Sequence, residues 1–250
     1  MDFSPTGTGM KSFALRGSAM SKLTLSMVVK NESHRYLRKA LLQHRDWIDE
    51  AVIIDDGSTD DTSEICEELL SGIPLQLIRN PESRFANEVQ LRKQQWEATV
   101  QTNPEWILNL DGDELLEDQF ANQVRDLLSH CEQDAIYFRL YDMWSETSYR
   151  DDAYWSAHHY YRPFLIRYKP DLPYLWKETP QHCGRFPATI NHFSYLCHPA
   201  RIKHFGWAKP EDRIEKYERY MRLDPNAQYG WKEQYDSILD EHPNLVTWEE

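Results

Sequence analysis

From Leu23 onward, four short apolar runs, Leu23–Val29, Ala51–Asp55, Pro74–Ile78 and Trp106–Leu110, alternate with longer amphipathic stretches. Runs that are apolar throughout, rather than at every second position, belong to strands buried on both faces. Parallel strands of that kind need crossover connections, usually helices. Candidate helices fall at Ser33–Gln43, Asp60–Leu70 and Asn87–Val100. The second has a start signal, Ser58 or Thr59 as cap with Asp60 and Asp61 in the first turn, and a stop at Gly72 and Pro74. The pattern is that of an α/β fold with a mostly parallel central sheet flanked by helices.

Past residue 133 the pattern changes. Ala135–Tyr141 reads as a further strand and Pro210–Leu223 as a helix, but between them lies a stretch with no clear period. Of the 32 aromatic residues, 13 fall between Tyr137 and Trp176, which suits either a second layer of core or a binding surface. Tyr149–Trp176 is the candidate lid. A single domain is expected over residues 21–250, with a change of character at 133/134, and residues 1–20 are expected to be a disordered leader with Met20 an alternative start.

Composition narrows the partners. The net charge of −13 disfavours extended nucleic-acid binding. No apolar run approaches the roughly 18 residues of a transmembrane helix, and the first 20 residues lack a secretory signal. Four cysteines without a C-x-x-C pair suit a reducing, cytoplasmic setting. Cys183, His192, Cys197, His198 and His204 match no compact zinc finger or ribbon.

The chemistry sits where strands end. Ile53-Ile54-Asp55-Asp56-Gly57-Ser58-Thr59-Asp60 delivers two carboxylates to the edge at which open α/β sheets bind ligands. Neighbouring strand residues face opposite ways, so one of Asp55 and Asp56 can face a ligand while the other holds the turn. Ile107-Leu108-Asn109-Leu110-Asp111-Gly112-Asp113-Glu114 ends a second strand in carboxylates spaced i, i+2, which suits a hard divalent cation. It fails as a calcium loop, having Leu115 and Leu116 where further ligands and a Gly belong.

Together with Ser26-Met27-Val28-Val29-Lys30-Asn31-Glu32, these two segments resemble, in order and spacing, the nucleotide-binding half of an inverting family 2 glycosyltransferase of the Rossmann-like A-type fold. The likeness is strong over about residues 22 to 120. Farther on, Arg201-Ile202-Lys203-His204-Phe205-Gly206-Trp207, with Glu211-Asp212-Arg213 and Lys216, is similar to the closing His-aromatic-Gly segment of a bacterial branch of that family. The resemblance implies that Val29, Lys30, Asn31, Glu32 and Asp56 hold base and ribose, that Arg92 faces the nucleotide or its diphosphate, and that Asp111 lies near the ribose. It implies Asp113 and His204 as ligands of Mn²⁺ or Mg²⁺.

The implied activity is transfer of a sugar from a nucleoside diphosphate sugar, UDP being the family's commonest nucleotide, to a hydroxyl of a carbohydrate or glycoconjugate acceptor in cell-surface glycan synthesis. Inversion needs a general base on the far side of the sugar. Relatives place it beside a His-Glu pair, but Trp176-Lys177-Glu178-Thr179-Pro180-Gln181-His182-Cys183-Gly184 has Cys183 where that Glu would stand. Glu178, then His182, then Asp171 are the candidates. Two other readings compete. A degenerate sugar-binding module would keep the scaffold without catalysis, and a phosphoribosyltransferase would need a Thr-Gly where Asp60-Asp61 stand.

Overall fold

The computed structural model describes residues 21–250, so the expected leader lies outside the described residues. The four apolar runs form β1 (Leu23–Val29), β2 (Glu50–Asp55), β3 (Leu75–Arg79) and β4 (Trp106–Asn109), each within one residue of its expected bounds. Between them lie α1 (Leu37–His44), α2 (Thr62–Leu69) and α3 (Glu88–Gln101). α1 starts four residues later than expected because Ser33 is held elsewhere: its N–H and hydroxyl donate to Asp60 Oδ2 at 3.1 and 2.6 Å. α2 likewise starts at Thr62, whose N–H and hydroxyl donate to Asp60 Oδ1. Asp60, rather than Ser58 or Thr59, thus satisfies a free N–H at that helix start.

After β4 come β5 (Glu114–Leu116) and α4 (Val124–His130), and past residue 133 β6 (Ala135–Asp142), β7 (Ser148–Arg150), β8 (Tyr161–Arg167), β9 (Tyr195–His204), α5 (Pro210–Leu223), α6 (Lys232–Asp236) and β10 (Leu245–Thr247). One eight-stranded sheet runs β3-β2-β1-β4-β8-β6-β9-β5, and β7 pairs with β10 in a small antiparallel ribbon. β1 to β4 are mutually parallel, β8 runs antiparallel to both neighbours, β6 and β9 are parallel, and β5 is antiparallel to β9. The sheet is therefore mixed beyond β4 and crosses residue 133/134 without a break.

The core follows from strand chemistry. Leu23, Leu25, Met27, Trp106 and Leu108 pack with Phe120, Phe138 and Phe164 in one buried cluster. β1 also carries buried polar groups: Thr24 Oγ1 donates to Glu50 on β2, and α3 satisfies Ser26, whose Oγ lies 2.7 Å from Thr99 Oγ1 and accepts from Gln95 Nε2. Pairing of that kind removes the cost of burying hydroxyls.

A lid over Tyr149–Trp176 is not what the structure shows. β8 lies inside that stretch, between β4 and β6, with Phe164, Leu165 and Ile166 fully buried. The aromatic concentration divides between core and surface. Trp144 and Trp155 pack with Trp207 around the buried Arg150 guanidinium, whereas Tyr160 is exposed. Among the described residues no helix is long and apolar enough to cross a membrane, and all four cysteines are free thiols.

Candidate active site

The ends of β1, β2 and β4 meet at one edge of the sheet. Past β1, Asn31 adopts a left-handed backbone (φ 51°), which Asn tolerates better than most residues. Its N–H donates to Ser58 Oγ and its Oδ1 accepts from Thr59 N–H, tying the first motif to the turn after β2. Gly57 (φ +77°) is required in that turn, since a Cβ would sit 3.0 Å from the Ser83 backbone nitrogen. Asp55 and Asp56 divide the work as strand alternation demands. Asp55 accepts from Ser58 N–H and the Ser63 hydroxyl, holding the turn. Asp56 lines the cavity while accepting from Asn80 Nδ2, Ser83 Oγ and Arg84 N–H.

The carboxylates after β4 are braced by two arginines. Arg92, on α3, grips Asp111 Oδ1 with both terminal nitrogens at 3.2 and 3.1 Å. Burial pushes the Asp111 carboxyl up, but the Arg92, Arg185 and His204 charges outweigh it and hold the group down to about 2. Arg185 forms a bidentate pair with Glu114, Nη1 to Oε2 at 2.9 Å and Nη2 to Oε1 at 2.8 Å, and donates to Asn109 O. Glu114 Oε2 in turn accepts from Asp111 N–H, closing the turn.

Sheet register then brings Asp113 to His204. β9 lies between β6 and β5, and His204 is paired with Asp142 on one side and Glu114 on the other. His204 Nδ1 lies 2.8 Å from Asp142 Oδ1, which leaves Nε2 facing Asp113 Oδ2 at 3.7 Å. A carboxylate behind an imidazole is the arrangement that orients metal-binding histidines. Burial disfavours the imidazolium, yet Asp113 and the bond to Asp142 outweigh it, so His204 sits above the ordinary histidine range. Gly206 completes the cradle: a Cβ there would lie 2.0 Å from Lys216 Nζ, 2.4 Å from Asp113 Oδ2 and 2.7 Å from His204 Nε2. The donor set of one carboxylate and one oriented imidazole, with this space kept open beside it, fits a divalent cation.

Two cavities meet here. The first, about 620 Å³, is lined by Val29, Lys30, Asn31, Glu32, Asp56, Arg92, Asp111, Asp113, His182 and His204, the residues expected to form the site apart from Glu178. Glu32 belongs to its wall, with its carboxyl pushed up to about 8 by burial and by Asp113. The second, about 480 Å³, has walls of Tyr154, Trp155, Tyr160, Trp231 and Tyr235 and also includes Asp142. His182, His204, Trp207 and Tyr220 belong to both.

Glu178 is not part of either lining. Its side chain is 62 % exposed and bonded to Lys93 Nζ at 2.6 Å. Asp171 is exposed and equally absent from both. His182 is the candidate base that the structure does bring to the seam. It has a left-handed backbone (φ 54°), its N–H donates to Glu88 Oε2, and its Nε2 lies 2.7 Å from Tyr235 Oη, which donates to the buried Asp224.

Sequence reasoning missed Asp142, the Arg185–Glu114 clamp and the cationic face of α5. On that face Lys216 stands 3.6 Å from Asp113 Oδ2, and Arg219 lies over the Phe85 ring. Only Lys216 carried a signal, through the motif that follows His204.

The fold has known counterparts. It superposes on S. aureus TarS residues 1–349 with a TM-score of 0.50 at 17% identity, covering 87% of this chain and 69% of that one. In sequence, a 224-residue match at 25% identity to an uncharacterized protein of Mycobacterium tuberculosis takes in 86% of this chain and 54% of the relative. An uncharacterized glycosyltransferase of Rickettsia felis is 28% identical over 115 residues, 46% of this chain and 37% of the relative. The chain thus spans about half the length of the mycobacterial relative. The glycosyl transferase family 2 model matches residues 24–191, from the start of β1 to beyond the second brace of the acidic turn, and with well over half its length so matched the chain belongs to glycosyl transferase family 2.

Proposed function

We propose that this chain transfers a sugar, with inversion, from a nucleoside diphosphate sugar to a hydroxyl acceptor in the synthesis of a cell-surface glycan or glycoconjugate. UDP is the first choice of nucleotide, from the resemblance of the three motifs. The observation that carries the reading is the junction itself, where Asp113 lines a polar cavity at the strand ends and His204, beside it, lines both that cavity and a second one walled by aromatic rings.

In this reading the N-terminal half, to residue 133, binds the donor, and the remainder receives the acceptor. Val29, Lys30, Asn31, Glu32 and Asp56 take the base and ribose, with Asp111 held toward the ribose by Arg92. Asp113 and His204 hold Mn²⁺ or Mg²⁺, which when bound acts as a Lewis acid on the departing diphosphate. Lys216 and Arg219 add fixed positive charge on the same side. Aromatic faces of the second cavity suit the apolar faces of sugar rings. His182 receives the acceptor proton: its Nε2–H donates to Tyr235 Oη, whose own hydrogen goes to Asp224, so Nδ1 is the free basic nitrogen.

The test is thermal denaturation against uridine, thymidine, guanosine and cytidine diphosphates, with and without Mn²⁺. A ligand at 100 times its Kd adds about 2.7 kcal/mol, a rise of about 5–11 °C for a chain of this size. A rise with one nucleotide that depends on Mn²⁺ is expected; no rise with any of them overturns the reading. Metal-dependent binding without turnover of any sugar donor would instead identify the degenerate sugar-binding module, the reading that Cys183 favours.

Gly206→Ala tests the cradle separately. Gly206 lies in the short 3₁₀ turn Phe205–Trp207 and has no positive φ, so Ala fits the backbone. The new methyl occupies the space between Asp113, His204 and Lys216. Mn²⁺ affinity, read by isothermal titration, is expected to fall at least about tenfold, as for lost support of a metal ligand, with little change in melting temperature. Unchanged affinity would place the cation elsewhere.

A further inference from the structure

We propose that Asp151, His158 and His159 form a second metal site, for Zn²⁺ or a divalent cation of similar softness, outside both cavities. Asp151 Oδ1 lies 3.3 Å from His158 Nε2 and 3.7 Å from His159 Nε2, and the three atoms all fall within 4.8 Å of one another. Ligand atoms about 2.0–2.1 Å from a tetrahedral zinc stand about 3.3 Å apart, so small side-chain rotations close the set. Two imidazoles and a carboxylate also select this class of ion over Mg²⁺ or Ca²⁺, which prefer all-oxygen shells.

A second observation points to a ligand. His158 is only 5 % exposed, yet its Nε2 is buried without a hydrogen-bond partner. The nearby Asp151 oxygen does not meet hydrogen-bond geometry, and buried polar atoms without a partner are rare in folded proteins. The ring cannot easily turn away, because it stacks on Tyr141 and meets the edge of Tyr149, both at 5.0 Å between ring centres. Asp151 is anchored as well: its N–H donates to Asn244 O and its carbonyl accepts from Asn244 Nδ2. His159, 57 % exposed at the side chain, leaves a path for the ion and an open fourth position for water.

The two histidines close the short 3₁₀ turn Ala157–His159, and Ala157 and Tyr160 line the aromatic cavity. A metal here ties the end of β7 to that turn and fixes one wall of the cavity. The test uses the full chain carrying Asp113→Ala, which disables the junction site, and follows Zn²⁺ by equilibrium dialysis and by the visible spectrum of the Co²⁺ form. One equivalent of Zn²⁺ and an intense tetrahedral Co²⁺ spectrum are expected. Adding His159→Ala, a change at an exposed position, or Asp151→Asn should weaken retention by more than about tenfold and abolish the spectrum. Failure of the Asp113→Ala chain to retain Zn²⁺ overturns the proposal, as does retention that neither added substitution weakens. Because metal retention is read without nucleotide or donor, its failure is separate from any failure of the transferase reading.

Discussion

Replacing Asp113 with Ala is expected to eliminate Mn²⁺-dependent stabilisation by nucleotide and to lower turnover by about 10²–10³-fold, the usual cost of losing one fixed group that stabilises developing charge. The fold should survive. Asp113 makes no short side-chain hydrogen bond; its neighbours His204 Nε2 and Lys216 Nζ lie at 3.7 and 3.6 Å, and Asp142 continues to hold the imidazole from behind. What disappears is the one carboxylate that shares the Gly206 cradle with His204. Without it, Lys216 and Arg219 still line the cavity, so a residual metal-independent rate is the expected remainder. Thermal melts with and without Mn²⁺, alongside nucleotide release from the preferred donor, check both parts. Full metal-dependent turnover in a folded Asp113→Ala chain would remove Asp113 from the site.

Much of that site was legible because the sequence marks the ends of buried strands. Leu23–Val29 and Trp106–Leu110 could hardly be anything but central strands, and a carboxylate placed directly after such a run must emerge at the sheet edge. That geometry alone brings Asp111 and Asp113 to the edge and narrows the β2 carboxylate to Asp55 or Asp56, between which the family resemblance chose Asp56. The strands that bring His204 to the site were less readable because they lack continuous apolar runs. β9, Tyr195–His204, has alternating exposed and buried positions and contains Pro199 and Arg201, while β5 is three residues long and follows directly on an acidic turn. Without those two strands there is no way to see that Glu114 and Asp142 flank His204.

The order of the candidate bases was unreadable in the sequence for the same reason. Glu178 and His182 are four residues apart, but residues 170–186 form no helix or strand, so spacing gives no common face. Only the tertiary partners separate them: Glu178 turns out to Lys93, and His182 turns in to Tyr235, 53 residues later. The aromatic stretch after Tyr137 was ambiguous for a related reason. Trp155 both packs on Trp207 and lines the second cavity, so core and surface are not alternatives for that ring.

The Arg185–Glu114 pair, joined across 71 residues, is where stability and chemistry meet, and Arg185→Met should cost about 3 kcal/mol. Glu114 is 1 % exposed and would be left as an uncompensated buried carboxylate, while Asn109 O loses a donor and Phe164 loses the guanidinium stacked 4.1 Å from its ring. For a chain of this length the loss corresponds to a fall in melting temperature of about 6–12 °C. Adding Glu114→Gln removes the stranded charge while its amide oxygen still accepts from Asp111 N–H, so the double variant should recover more than half of the loss. That recovery separates a penalty for an unpaired charge from a simple loss of packing, which a second substitution could not repair. Turnover should not recover with it, because Asp111 and Asp113 depend on the turn that the ion pair clamps from beneath. Urea denaturation of the single and double variants, with nucleotide release measured well below the lower melting temperature, gives the result. A single variant destabilised by less than about 1 kcal/mol, the scale of an exposed pair, would show that the clamp contributes no more than surface electrostatics.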